Sequence, residues 1–321
     1  MADNLNLSTL AKHFSDEESA WLLIEHIRWP EGEKACPHCG AIGQHYFLKP
    51  QAARKTTTGR VSYRRIWKCS ECRMKFSALV GTIFEDSKIP LSKWLLAIYL
   101  MGAAKNGMSA SELSRQLGIT VKSAWHMGHR IRLAMVREPM LSKMRGAVEA
   151  DETYIGGNRR KGRHASKWSD KTPVFALVER ETGQVRAQVM EQVTRDNVAS
   201  VIREQVDMDE ATLMTDKSRV YLPIGREFAG GHESVDHGRG EYVRADNRSV
   251  HSNTVENFFG QFKRSLDGTH HHVGADHLHR YVDEFAYRYC TRDMTDGQRL
   301  VDMIMSVQGR RLTYKPMTAE G

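Results

Sequence analysis

The sequence lacks any hydrophobic run long enough to cross a membrane. Its longest apolar stretch, residues 94–104, has about half the roughly 20 residues that a spanning helix needs. The first residues also lack the basic start and the apolar stretch of a signal peptide. We therefore expect a cytoplasmic protein with no membrane partner.

Cysteine is scarce, and the five cysteines are an odd number for a scaffold of paired disulfides. Four of them form two C-x2-C pairs, Cys36 with Cys39 and Cys69 with Cys72. Each pair offers two thiolates to one tetrahedral metal, so the spacing predicts a four-cysteine zinc site. Because four thiolates leave no open coordination position, this zinc is expected to be structural. Cys290 is expected to be a core thiol.

The excess of positive charge lies in the first half of the chain. Residues 1–150 hold 22 Lys and Arg against 13 Asp and Glu, whereas residues 151–321 hold 25 against 26. Basic residues surround the second cysteine pair, Arg64 and Arg65 among them, with aromatic residues interleaved. This cluster predicts contacts with a phosphate backbone, although a solvated charged face would explain any one residue as well.

A helical pattern follows the segment of the two cysteine pairs, which is the predicted zinc ribbon. Ser109 and Glu112 have the spacing of a capping box, Gly118 is placed to end that helix, and Thr120 can cap the next one. Two helices joined by a short glycine turn predict a helix-turn-helix whose second helix enters the major groove. A packed helical hairpin without DNA would give much of the same pattern. The expected DNA contacts are Lys122, Ser123, His126, His129 and Arg130.

The second half alternates between β-prone and helical segments. The pattern predicts strands at 147–155, 173–178, 184–190 and 211–215, and helices at 195–206 and from residue 253 onward. This order matches a ribonuclease H-like arrangement, a mixed sheet with helices on both faces. The predicted multidomain organisation is a helical segment (1–30), a zinc ribbon (31–85), a helix-turn-helix region (86–145), a catalytic domain (146–310) and a tail (311–321).

Three carboxylates fall at positions where burial is costly. Asp151 lies within a predicted central strand, Asp216 ends another, and Glu256 lies on a helix with inward-facing aromatic residues. An ionised carboxylate in such a place needs a partner or a metal, and oxygen ligands suit Mg²⁺. We expect a site for a pair of Mg²⁺ ions that promotes phosphoryl transfer. The alternative is that each residue is an ordinary surface acid.

A basic loop follows the first of these strands. It is expected to grip the backbone of a nucleic-acid substrate, and the alternative is a loop that serves solubility alone. Its basic residues are Arg159, Arg160, Lys161 and Arg163.

These motifs resemble those of bacterial insertion-sequence transposases of the ISXO-like group, which join an N-terminal zinc ribbon to a DDE-type catalytic domain. The longest shared strings are D-E-T-Y-I-G-G at 151–157 and H-S-N-T-V-E-N-F-F at 251–259, within a resemblance that covers about residues 30–295. It implies a Mg²⁺-dependent enzyme, a homodimer or higher multimer, that cleaves inverted-repeat DNA at transposon ends and joins the 3′-OH to target DNA. Such an enzyme would act at the nucleoid.

The resemblance also bears on individual residues. Asp151, Asp216 and Glu256 match the acidic positions of the group, and Lys263, two helical turns after Glu256, is placed to hold the terminal phosphate. Some members carry Asn at the third position, so Asn253 is an alternative ligand. Two rival functions remain: a ribonuclease H-like nuclease or resolvase without strand transfer, and a zinc-ribbon DNA-binding regulator without catalysis.

Overall fold

The computed structural model describes residues 6–14, 16–43, 45–49, 63–137, 142–156 and 171–314. The chain divides into two compact units: unit 1 comprises residues 1–135 and 294–321, and unit 2 comprises residues 136–293. Within the described ranges, no helix is long and apolar enough to cross a membrane.

The helices and strands alternate in a mixed pattern along the chain. In chain order they are α1 (Leu7–His13), α2 (Glu17–Arg28), β1 (Lys34–Ala35), β2 (Ile42–Gly43), β3 (Tyr46–Leu48), β4 (Ile66–Lys68), β5 (Lys75–Phe76), α3 (Leu91–Ala103), α4 (Ala110–Leu117), α5 (Val121–Met135), β6 (Met144–Gly156), β7 (Lys171–Glu179), β8 (Val185–Val189), α6 (Arg195–Gln205), β9 (Val206–Asp216), α7 (Leu222–Gly225), β10 (His232–Val235), α8 (Asn253–Ser265), α9 (Ala275–Cys290) and α10 (Asp296–Met305).

Unit 1 contains two small antiparallel sheets, β1–β2 and β3–β4–β5. The strands β3 and β4 have three residues each. Trp67 of β4 lies between Phe47 of β3 and Phe76 of β5 in the register, so aromatic side chains dominate the cross-strand pairs of the small sheet.

The helix α4 begins and ends, and the helix α5 begins, where the sequence predicts. The Ser109 hydroxyl accepts a hydrogen bond from the Glu112 amide at 3.2 Å, and Gly118 takes the left-handed conformation that ends α4. Thr120 then accepts from the amide of Ser123 at 3.2 Å and caps α5.

The C-terminal boundary differs from the sequence prediction of a catalytic domain extending to residue 310. The helix α10 packs against α2, α3 and α5 of unit 1. Its side chains Leu300, Met303 and Ile304 are buried, and a Cβ at Gly102 of α3 would come within 2.7 Å of the Met303 methyl. Unit 2 therefore ends at Asp293 because the last helix buries its apolar face elsewhere.

Unit 2 is built on a five-stranded mixed sheet in the order β10-β9-β6-β7-β8. The central strand β6 runs antiparallel to β7 and parallel to β9, and β9 runs parallel to β10. β9 begins five residues earlier than predicted, because the segment from Val206 continues directly from α6 into the sheet.

Both faces of this sheet are covered by helices. One core packs β6, β7 and β9 against α6 and α7, and includes Val148, Ala150 and Leu213. The opposite core packs β7 and β8 against α8 and α9, and includes Phe258 and Phe285. Since side chains alternate along a strand, the odd-numbered residues of β6 face α8 and the even-numbered ones face α7.

Candidate functional site

The four cysteines of the two C-x2-C pairs lie together in unit 1. Their sulfur atoms all lie within 4.8 Å of one another. The Cys36–Cys72 and Cys39–Cys69 sulfur distances are both 3.7 Å. A tetrahedron with zinc–sulfur bonds of about 2.3 Å has edges of about 3.8 Å. The cluster therefore fits a structural zinc ion.

Tight turns bring each cysteine pair together. The amide of Gly40 donates to the Cys36 carbonyl at 2.9 Å, and the amide of Cys69 donates to the Met74 carbonyl at 2.9 Å. Gly40 and Arg73, which each follow the second cysteine of a pair, both have positive φ, at 76° and 62°. The first turn thus uses the residue type that this conformation favours, and the second tolerates a side chain there.

A second group of potential ligands lies on the α8 face of the sheet in unit 2. Glu149 of β6 pairs with Met214 of β9 in the parallel register. Two residues further along each strand, Asp151 and Asp216 are therefore neighbours on the same face. Glu256 lies in the first turn of α8, which packs against this face of β6.

The electrostatics of Asp151 connect these three carboxylates. Burial raises its pKa to about 7, and the negative charges of Glu152, Asp216 and Glu256 add to this rise. The Glu152 amide opposes it by donating to Asp151 Oδ1 at 2.8 Å. A carboxylate destabilised by three neighbouring acids is a favourable ligand for a divalent cation, because the cation offsets the repulsion.

Glu256 is held by polar side chains from the same region. Its Oε1 accepts from the Ser252 hydroxyl at 3.2 Å and lies 2.9 Å from His237 Nε2. Asn253, the first residue of α8, is exposed, and so is Lys263 two turns after Glu256. His237 has no counterpart in the sequence prediction, because its place depends on β10, a short strand without a clear sequence pattern.

Two family models match the chain: a transposase zinc-ribbon domain over residues 15–75 and an ISXO2-like transposase domain over residues 143–289. A Halobacterium salinarum protein described as an uncharacterized protein in transposable element ISH50 is 29% identical over 292 residues, which is 86% of this chain and 92% of that protein. The chain belongs to the ISXO2-like transposases.

The second helix of the predicted DNA-binding hairpin in this transposase is exposed only near its start. Lys122 is exposed and His126 is half-buried, whereas His129 and Arg130 are buried. Arg130 donates to the Glu85 carbonyl at 2.5 Å and lies 5.2 Å from the centre of the Trp94 ring. Burial lowers its pKa to about 10. His129 and Arg130 therefore lie within the packing of unit 1, where Arg130 contacts α3, and their DNA contacts stay a prediction.

The two neighbouring arginines of the transposase ribbon differ in the same way. Arg64 is exposed, but Arg65 pairs with Glu25 at 3.0 Å and its guanidinium lies 4.7 Å from the centre of the Phe47 ring. Arg65 is thus part of the packing between α2 and the ribbon, and its contact with DNA stays a prediction. The predicted basic loop, with Arg159, Arg160, Lys161 and Arg163, lies outside the described residues.

The opposite face of the sheet holds a half-buried acid that the sequence prediction did not use. Glu152 accepts a hydrogen bond from the hydroxyl of Tyr221, which is fully buried. Burial raises the pKa of both groups, and each group's neighbouring carboxylates contribute. The sequence signal for this pair is the alternation of β6, which places Glu152 opposite Asp151. Cys290 packs as predicted, as a half-buried thiol whose sulfur accepts from the Val185 amide at 3.2 Å.

Proposed function

We propose that this chain binds the inverted-repeat ends of an insertion sequence, cleaves them by two-metal phosphoryl transfer, and joins the freed 3′-OH to target DNA. The observation that carries the proposal is the group of Asp151, Asp216 and Glu256 on one face of a mixed sheet. The strand order, with a central strand antiparallel to one neighbour and parallel to the other, supports a ribonuclease H-like catalytic domain.

The carboxylate group suits a hard divalent cation. Asp151, Asp216 and Glu256 would hold Mg²⁺, since all three offer oxygen ligands and repel one another without a cation. Glu256 is favoured over Asn253 as the third ligand because it contributes charge at Asp151, and a carboxylate offsets the charge of Mg²⁺ better than an amide does. When bound, Mg²⁺ would stabilise the charge that develops on the attacking and leaving oxygens.

The proposed reaction has two steps, cleavage and joining, and the joining step forms one phosphodiester bond as it breaks another. Water first attacks the phosphorus at the transposon end, and the bond to the 3′ oxygen breaks to leave a 3′-OH. This hydroxyl then attacks a target phosphodiester, whose own 3′ oxygen leaves. No covalent enzyme intermediate and no external energy source is needed, so the protein's contribution is positioning. Lys263 is proposed to hold the terminal phosphate.

Recognition of DNA is proposed for unit 1. The hairpin of α4 and α5 has the short connection of a helix-turn-helix, and the exposed Lys122 and half-buried His126 lie near the N-terminal end of its second helix. N-terminal residues of a recognition helix are the ones that reach base edges. Arg64 of the ribbon is a further proposed phosphate contact. A homodimer or higher multimer at paired ends, acting at the nucleoid, completes the proposal.

The test is a joining assay on DNA that flanks the natural reading frame. A labelled duplex of each flank is incubated with the full-length protein, Mg²⁺ and a supercoiled target plasmid. We expect cleavage at one end and a labelled product joined to the plasmid. Asp151→Asn should abolish both products while it leaves binding of the labelled duplex intact.

The rival functions give different results in the same assay. Cleavage without any joined product would indicate a nuclease or resolvase. Binding without cleavage by the unmodified protein would indicate a regulator. Glu256→Gln and Asn253→Ala test the third ligand, and full cleavage by the former with none by the latter would assign Asn253 to the metal.

A further inference from the structure

The helix that carries Glu256 has no cap of its own. Ser252 precedes α8 at the position of a capping residue, but its hydroxyl accepts no hydrogen bond from a backbone amide of the first turn. It lies instead 3.2 Å from Glu256 and 3.0 Å from His237. The free amides at the start of a helix need acceptors, and here the acceptor comes from a strand about a hundred residues earlier in the chain.

That acceptor is Glu149, whose side chain is fully buried. Its Oε2 accepts from the amides of Thr254 and Val255 at 2.7 and 2.9 Å. Its Oε1 accepts from the Thr254 hydroxyl at 2.8 Å and from Arg180 Nε at 2.5 Å. A carboxylate at this end of a helix is favoured by the helix dipole as well as by the hydrogen bonds.

Arg180 extends this contact to the segment that leads into α8. Besides Glu149, it donates to the carbonyl oxygens of Ser249 and His251 at 2.6 and 2.5 Å. The Arg180 Nη2 atom also lies 3.0 Å from His251 Nδ1. One buried ion pair therefore fixes the turn after β7, the strand β6 and the approach to α8 in a single arrangement.

The positions of these contacts relate directly to the carboxylate site. Glu149 lies two residues before Asp151 on the same face of β6, and Val255 immediately precedes Glu256. The buried carboxylate thus joins the backbone beside one proposed ligand to the backbone beside another. Any loosening of this link changes the separation of Asp151 and Glu256 before it changes anything else in the site.

We propose that Glu149 is a positioning residue: together with Arg180 it holds the start of α8 against β6 and so sets the spacing of Asp151 and Glu256. The inference rests on the proposed function of these two residues as metal ligands. Glu149 itself contacts neither DNA nor metal in this role, because both of its oxygens are taken by protein donors.

The substitution Glu149→Gln tests this positioning role directly. Oε2 of Glu149 accepts from two backbone amides, and Oε1 accepts from the Thr254 hydroxyl and Arg180 and lies 3.2 Å from His251 Nδ1. Either orientation of a glutamine amide would therefore point its NH₂ group at two donors. Glu149→Gln keeps the size of the side chain but cannot keep the link. Glu284→Gln is the matched control, because Glu284 is also fully buried and also pairs with an arginine, Arg288, at 2.6 Å, on α9.

The experiment measures Mn²⁺ binding to the zinc-loaded, full-length protein by electron paramagnetic resonance, with the melting temperature recorded for each variant. Loss of a residue that orients metal ligands lowers metal affinity by about 10–100-fold. We expect that loss in Glu149→Gln and unchanged affinity in Glu284→Gln, even if both variants melt at a lower temperature. Asp151→Asn should bind Mn²⁺ weakest of all.

The outcomes separate the inference from the function on which it rests. Equal Mn²⁺ affinity in Glu149→Gln and Glu284→Gln, with Asp151→Asn impaired, would overturn the positioning role alone. Failure of the unmodified protein to bind Mn²⁺, or normal binding by Asp151→Asn, would overturn the metal site itself. If Glu149→Gln does not fold, Arg180→Lys replaces it: this variant keeps the charge but loses the forked contacts, and wild-type affinity in it would contradict the proposal.

Discussion

The cysteine cluster of unit 1 and the carboxylate group of unit 2 are two solutions to the assembly of a metal site. Two tight turns form the two cysteine pairs, and the sulfur atoms of one pair lie 3.7 Å from those of the other. The carboxylates come from two strands and a helix, and burial, together with the negative charges of the neighbouring acids, raises the pKa of Asp151. The first site depends on two local turns. The second depends on the whole sheet and on the neighbouring ion pair of Glu149 and Arg180.

The largest expected effect is at the cysteine cluster. Cys39→Ser should abolish zinc binding and unfold the ribbon, because zinc contributes about 10–16 kcal/mol to the folding of small zinc domains. Zinc content by mass spectrometry and the fluorescence of Trp67 report the two effects. Cys290→Ser, which changes a cysteine outside the cluster, should retain zinc. Full zinc content in Cys39→Ser would contradict the four-cysteine site.

The carboxylate group should respond to pH in the metal-free protein. The folded-state pKa of Asp151, about 7, is higher than the ordinary value of 3.8. The protonated carboxyl is therefore favoured in the folded state, and the free energy of unfolding falls as the pH rises from about 4 to about 7. The loss is at most about 4 kcal/mol. Urea unfolding at several pH values measures it.

Asp151→Asn tests the origin of this pH dependence. The amide cannot ionise, so most of the decrease in stability with rising pH should disappear in the variant. Addition of Mg²⁺ should stabilise the unmodified protein at pH 8 and leave the variant unchanged. The same pH dependence in both proteins would show that other groups cause it.

A smaller effect distinguishes two basic residues of α5. Arg130→Ala should lower the free energy of unfolding by about 3 kcal/mol, because it removes a buried cation from its contacts with Trp94 and the Glu85 carbonyl. Lys122→Ala should leave stability within about 0.5 kcal/mol and weaken DNA binding. Urea unfolding and fluorescence anisotropy on a labelled duplex separate these outcomes, and reversed results would restore Arg130 as a DNA contact.

The smallest effect is expected at the exposed arginine of the ribbon. Arg64→Ala should leave the melting temperature unchanged and reduce the slope of log K against log[salt] by about 0.9, the value for one phosphate contact. Arg65→Ala should instead lower stability by about 1–2 kcal/mol, because Glu25 loses its ion pair. Anisotropy titrations over a range of salt concentrations give the slope, and an unchanged slope in Arg64→Ala would remove this contact.

Patterns of short range allowed much of this architecture to be predicted. The two C-x2-C pairs indicate the cysteine cluster, the alternation along β6 places Asp151 on a covered face, and Gly118 ends α4 as expected. These features depend on neighbouring residues and on one periodicity. They are visible in the sequence because each rests on a spacing or a periodicity that is written in the chain itself, even where, as in the cysteine cluster, two such motifs come together from about 30 residues apart.

The sequence interpretation misses contacts where distant segments of the chain determine the surroundings of a side chain. From the sequence alone, Arg130 is interpreted as a surface cation, because the residues that bury it, such as Trp94, belong to another helix. From the sequence alone, Glu149 is only an acidic residue in the strand that holds Asp151, because its partners Thr254 and Arg180 are far along the chain. His237 reaches Glu256 only because β10 extends the sheet. Sequence patterns do not encode such contacts in a local form.

The position of α10 sets an order for synthesis on the ribosome. Unit 1 needs the buried face of α10, but residues 136–293 are translated before that helix appears. At about 5–20 residues per second, these residues take roughly 8–30 s to emerge. Throughout that interval α2 and α3 lack one of their packing partners, while the sheet that holds Asp151 and Asp216 is translated and is complete in sequence at Val235. Unit 1 is therefore the last to be complete in sequence, and a nascent chain that ended before α10 would contain Asp151, Asp216 and Glu256 together with an unfinished unit 1.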